Sequence, residues 1–167
     1  MDDKMILAGD VGGTKTRLAF CKLENGRITR QQTDTFVSRE YSCLENVVQD
    51  FINKYDVSVT RSCFGVPGPV VNGEAKATKL PWHFKEEQIS NELNIPTVKL
   101  VNDLVATAAA IPHLMPEDLY VLHESELPGS TAEGQSQSRN SGSGNGEDVI
   151  GVLAPGTGLG QAYVYAN

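Results

Sequence analysis

A mixed α/β fold, built on a five-stranded sheet of three antiparallel strands followed by crossover helices, is predicted by three features of this chain. Two short apolar runs flank Asp10-Val11-Gly12-Gly13-Thr14, so a glycine turn joins the first two strands. An Asn25-Gly26 pair marks a second tight hairpin. Beyond residue 40, helical and strand periodicities alternate, as in a sheet whose later strands are joined through helices.

Taken in order, the first three strands are expected at 5–9, 17–23 and 28–36. Ser42 and Glu45 stand at capping-box spacing, and Leu44, Val47, Val48, Phe51 and Ile52 recur at helical spacing around them. A strand at 61–66 ends in Pro67-Gly68-Pro69, and a helix at 86–93 is closed by Asn94 and Pro96. A strand at 98–101 leads through Asn102-Asp103 into an alanine-rich helix, 104–111, stopped by Pro112. If the strands before Asp10 and Asp103 are neighbours, both carboxylates reach the sheet edge where α/β folds place ligands. Residues 125–148 have almost nothing to bury and read as a flexible loop. A strand at 149–153, the turn Pro155-Gly156-Thr157-Gly158 and a last strand at 159–165 repeat the arrangement of residues 5–20. Two such hairpins facing each other would grip a polyphosphate from both sides. The expected division is a small α/β domain, 1–112, with the first glycine turn and Asp103. Residues 113–167 then begin a larger, truncated domain, being too few for an independent core.

Composition narrows the function classes. The net charge of −7 comes with no basic cluster, and duplex binding needs a positive face, so nucleic acid is excluded as a partner. Asp2-Asp3-Lys4 precedes an apolar run too brief for an export or membrane segment, and a cytoplasmic protein is expected. Cys21, Cys43 and Cys63 are odd in number and widely spaced, which fits reduced thiols filling a core. His83, His113 and His123 lack metal-ligand spacing, and Trp82 reads as core packing.

The glycine turn carries the sharpest chemical signal. Backbone N–H groups unhindered by side chains bind phosphate oxygens, and Asp10 beside them can hold the water shell of Mg²⁺. A P-loop is excluded, because its spacing from Gly9 needs glycine where Thr14 stands. A dinucleotide fingerprint fails at Gly156-Thr157-Gly158-Leu159-Gly160, since Gln161 stands where its third glycine belongs. The bland alternatives are an ordinary glycine hairpin, a helix N-cap at Asp103, and a strand-end residue satisfying backbone groups at Asn102. Lys15 and Arg17 are left unassigned.

Three motifs stand in a fixed order: Gly9-Asp10-Val11-Gly12-Gly13-Thr14, then Leu100-Val101-Asn102-Asp103-Leu104 leading to Ala109-Ala110-Ile111-Pro112, then Ala154-Pro155-Gly156-Thr157-Gly158-Leu159-Gly160. Together they resemble the bacterial glucokinase family of the actin-like ATPase, or hexokinase, superfamily. Gly65-Val66-Pro67-Gly68-Pro69-Val70 and Leu80-Pro81-Trp82 also look like loops of that family. The likeness covers nearly everything outside 125–148 and implies a ribonuclease-H-like fold, in a protein about twice this length. The chain is then its amino-terminal portion, inactive alone. The resemblance further implies ATP-dependent phosphorylation of glucose to glucose-6-phosphate, with ATP and Mg²⁺ as cofactors and a hexose as partner. It implies no membrane association, and a homodimer at full length.

By the same resemblance, Gly9, Asp10, Val11, Gly12, Gly13 and Thr14 form a first phosphate loop, with Asp10 reaching Mg²⁺ through water. Gly156, Thr157 and Gly158 form a second loop. Asp103 is the general base and a sugar ligand, and Asn102 contacts a sugar hydroxyl. The relatives offer asparagine to the sugar in the loop before Trp82, where this chain has Lys79. The competing readings are a kinase for another hexose, a sugar-binding regulator of the same superfamily, and a ribonuclease-H-like nuclease. A nuclease needs several clustered acids and a basic groove, and a regulator carries a DNA-binding segment ahead of the phosphate loop.

Overall fold

Alternation of buried side chains writes the central strands. In β1 (Met5–Val11) Met5, Leu7 and Val11 face inward, and in β2 (Lys15–Glu24) Thr16, Leu18 and Phe20 do so. β3 (Arg27–Val37) completes the meander at its exposed outer edge. A computed structural model of the chain describes residues 5–24, 26–77, 79–122, 149–155 and 159–165. The expected flexible loop at 125–148 and the turn Gly156-Thr157-Gly158 lie outside them.

After a short 3₁₀ turn at Ser38–Glu40 come α1 (Leu44–Tyr55) and β4 (Val59–Val66). α1 buries Leu44, Val47, Val48 and Phe51, the i, i+3, i+4, i+7 stripe of an amphipathic helix, and Phe51 stacks on Phe20 at 4.4 Å. The predicted capping box is not formed. Cys43 is the N-cap, Glu45 is buried instead of reaching back, and the Ser42 hydroxyl accepts from Asn46 Nδ2 at 2.8 Å. A small ribbon that the sequence reading missed, β5 (Glu74–Lys76) with β6 (His83–Lys85), precedes α2 (Glu86–Leu93). Its strands are three residues each, too short for a periodic signal. α2 ends at Asn94 in the left-handed region, φ 53°, as the Asn94 and Pro96 signals predict.

β7 (Thr97–Asn102) and α3 (Asp103–Ala110) follow, and α3 passes into a 3₁₀ turn at Ile111–His113 instead of remaining α-helical through Ile111. Pro112 cannot donate the next helical hydrogen bond. The sheet order is β3-β2-β1-β4-β7, antiparallel through the meander and parallel from β1 to β7. The fold is therefore the expected α/β arrangement. β1 and β7 are not neighbours, because β4 lies between them, yet the parallel register keeps their carboxyl ends level. Asp10 pairs with Gly65, and Gly65 with Val101.

The β2–β3 ladder contains one irregularity. Ala19 pairs with Thr33 but Cys21 pairs with Arg30, so β3 carries one extra residue at Gln31-Gln32, a β-bulge. The chain divides into two units, Met1–Thr107 and Ala108–Asn167. In the second, β8 (Val149–Pro155) and β9 (Leu159–Tyr165) form an antiparallel ribbon in register from Val149↔Tyr165 to Pro155↔Leu159. Among the described residues, no helix is long and apolar enough to cross a membrane. Of the thiols, Cys21 is buried, Cys43 half-buried and Cys63 exposed, so only the first fills the core as expected. Burial pushes all three thiol pKa values up.

Candidate active site

The first glycine turn spans Gly12–Thr14, between β1 and β2, and is held from a distance. Gly12 N–H donates to Lys15 O at 2.9 Å, closing the turn. Ser38, 26 residues away and fully buried, donates its hydroxyl to Gly12 O at 2.8 Å and its N–H to Thr14 O at 3.0 Å. Its oxygen also lies 3.0 Å from Thr16 Oγ1. Three polar groups of one hairpin are thus tied to the end of β3. With the outer groups so engaged, Gly13 and Thr14 N–H have no acceptor among the described residues. Unpaired amides in a turn attract anions.

Gly9 stands mid-strand, where a Cβ would collide with the Phe64 ring and approach Leu18 Cδ2 at 2.9 Å. Packing alone accounts for glycine there. Val11 is buried in the core. Asp10 is exposed, lies across the ladder from Arg17, and has no hydrogen-bond or charge partner among the described residues.

At the carboxyl end of β7, Asn102 and not Asp103 caps α3. Asn102 Oδ1 accepts from Leu104 N–H at 3.0 Å and Val105 N–H at 3.2 Å. Its Nδ2 donates to Gly68 O at 3.0 Å and to Asp103 Oδ1 at 2.9 Å, so the amide is fully used inside the protein. Asp103 Oδ1 also accepts from Leu104 N–H at 2.9 Å. Two donors therefore fix Asp103 Oδ1, while Oδ2 has no partner among the described residues. A carboxylate oriented by one oxygen and free at the other suits a proton acceptor.

Two glycines line this corner. A Cβ on Gly65 would make ordinary van der Waals contact with Ala106 Cβ at 3.6 Å and Asp103 Cα at 3.7 Å, so α3 packs closely beside β4. Gly68 has φ +95°, a conformation that side chains disfavour, and it presents the carbonyl that holds Asn102. Beside them a cleft of about 600 Å³ is lined by Gly68, Pro69, Val70, Val101, Asn102 and Val105. Trp82 is buried and donates Nε1–H to Tyr41 O at 3.2 Å, as a core residue does. His83 pairs with Glu74 at 3.2 Å.

Sequence reasoning did not find Ser38, because nothing local marks a serine that serves a turn 26 residues upstream. The Pro-Gly-Pro signal did mark the loop containing Gly68, though not its grip on Asn102.

A family model described as glucokinase matches residues 7–167. A glucokinase of Trichormus variabilis is 32% identical over 167 residues, covering 96% of this chain and 43% of its own length. One of Synechocystis is 34% identical over 169 residues, covering 95% and 43% respectively. The crystal structure of a glucokinase from an Antarctic psychrotroph superposes with a TM-score of 0.73 at 25% identity, over 99% of this chain and 47% of that one. A Streptomyces griseus ROK family glucokinase, solved with glucose and AMPPNP, shares the fold at TM-score 0.54 and 21% identity, over 96% of this chain and 44% of that one. The chain thus spans less than half the length of the relatives it matches.

Proposed function

Because the chain belongs to the glucokinase family, we propose that it supplies the donor-phosphate turn and the acceptor-side base for ATP-dependent phosphorylation of glucose to glucose-6-phosphate. The observation that carries this reading is the Asp103 carboxylate, anchored through Oδ1 and without a partner at Oδ2 among the described residues, next in sequence to Asn102, which lines the cleft. Phosphoryl transfer to an alcohol asks mainly for a positioned base and charge neutralisation. Asp103 Oδ2 takes the proton of the sugar's 6-hydroxyl as that oxygen bonds to the γ-phosphorus and the bond to ADP breaks. Asn102 positions Asp103, and the free N–H groups of Gly13 and Thr14 hold phosphate oxygens.

Asp10 fits a hydrated Mg²⁺. It is one exposed carboxylate near the carboxyl end of β1, and a single carboxylate would hold the ion through its water shell. Bound Mg²⁺ and ATP would supply charge neutralisation and the transferred group.

The test is a coupled glucose-6-phosphate assay of the whole protein carrying this chain. Asp103→Asn should lower kcat roughly 10²–10⁴-fold while glucose affinity changes little. Near-normal turnover in that variant would remove Asp103 from the reaction. Residues 1–167 alone should give no measurable product, since closure around a sugar held from both sides is what commits such a reaction.

A further inference from the structure

Lys79 lies on the first glycine turn. A Cβ built on Gly13 would meet Lys79 Cβ at 3.1 Å, Cδ at 3.7 Å and Cγ at 3.9 Å, so the lysine stem runs along the face of Gly13. The side chain is exposed, and no carboxylate or other group pairs with it among the described residues. Lys54, Lys85 and Lys99 of the same unit behave otherwise, pairing with Asp34, Glu74 and Glu86. The same turn offers the N–H groups of Gly13 and Thr14, also without acceptors among the described residues. An unpaired ammonium and two unpaired amides at one turn form a donor set for a dense anion. Packing of the stem on Gly13 also restricts its rotamers before any ligand arrives, which lowers the entropy lost on binding.

We propose that Lys79 binds the phosphate chain of the nucleoside triphosphate donor, its ammonium closing over the oxygens held by Gly13 and Thr14. The assignment rests on the phosphotransfer reading above and gives one of its substrates a further contact. Gly13 then has two roles: its amide meets the anion, and its missing side chain makes room for the lysine.

The experiment uses the whole protein, with inorganic tripolyphosphate as a calorimetric probe and ATP and glucose in a coupled assay. Lys79→Met keeps the stem and removes the charge, and should weaken tripolyphosphate binding and raise the KM for ATP about tenfold, as expected for loss of a charge-assisted contact. The KM for glucose should stay within about twofold, because the interaction is confined to the donor. Lys79→Arg should restore tripolyphosphate affinity, which a purely structural defect would not allow. Unchanged tripolyphosphate affinity in Lys79→Met overturns the assignment, as does a shift confined to the KM for glucose. If the unaltered protein neither binds tripolyphosphate nor phosphorylates glucose, the functional reading falls and takes this one with it. If it does both and Lys79→Met matches it, only the role of Lys79 is lost.

Discussion

The β1–β2 hairpin and the β8–β9 ribbon carry the same local message, an apolar run, a glycine turn and a second apolar run, and they meet different fates. β1 lies in the middle of a five-stranded sheet with neighbours on both sides, and Leu7, Val11, Leu18 and Phe20 are buried to 1% exposure or less. β8 and β9 pair only with each other among the described residues, leaving Leu153, Leu159, Tyr163 and Tyr165 at 62–70% exposure. Backbone pairing is satisfied in both. The contrast shows that a strand–turn–strand pattern specifies a ladder, whereas its stability comes from what its faces bury.

Substitutions at matched positions test this contrast. The largest effect should come from Gly9→Ala, because the new methyl group must displace Phe64 in a filled core; about 3 kcal/mol of destabilisation is expected in urea unfolding. An unchanged midpoint would mean that the core around β1 is looser than its burial implies. Next in size is Ser38→Ala, which strips the half-buried Gly12 carbonyl and the buried Thr16 hydroxyl of their partner and should cost about 1–3 kcal/mol. The same variant should weaken ATP binding in the whole protein, since the turn loses its brace. Gly151→Ala, on the ribbon, finds open space around its Cβ and should shift stability by no more than about 0.5 kcal/mol. A large loss there would show that β8 packs against something.

The smallest effect is electrostatic and joins β3 to α1. The Lys54 ammonium, 2.8 Å away, holds the Asp34 carboxyl below its ordinary value, with Tyr55 donating as well. Asp34 therefore stabilises the fold above its unfolded pKa, and that contribution is lost as pH falls through the lower folded value. Lys54→Met should lower the neutral Tm slightly and leave the Tm in acid, where Asp34 is protonated, unchanged, so that the acid limb of a Tm-against-pH curve flattens.

Much of this was legible in the sequence because the signals were local. Asn94 with Pro96 placed the end of α2, and the run before Asn102-Asp103 placed β7. What escaped depends on distant parts of the chain. Whether Ser42 and Glu45 cap α1 was decided by the burial of Glu45, and the choice between Asn102 and Asp103 as cap by the carbonyl of Gly68, 34 residues earlier. β4 separates the strands of Asp10 and Asp103, and only the shared strand direction returns both to one edge.

The bulge at Gln31-Gln32 makes β3 a ruler with one spare notch. Counting from the hairpin at Gly26, the strand must deliver Ser38 opposite Thr14, and it does so while carrying one residue more than a regular ladder would use. A single deletion at the bulge can therefore be absorbed by straightening the strand, leaving the latch on the glycine turn engaged. A deletion between Thr33 and Val37 would draw the serine off its mark and turn alternate side chains to the wrong face. Two shortenings of equal length would thus leave one protein with a formed phosphate turn and the other with an unlatched one.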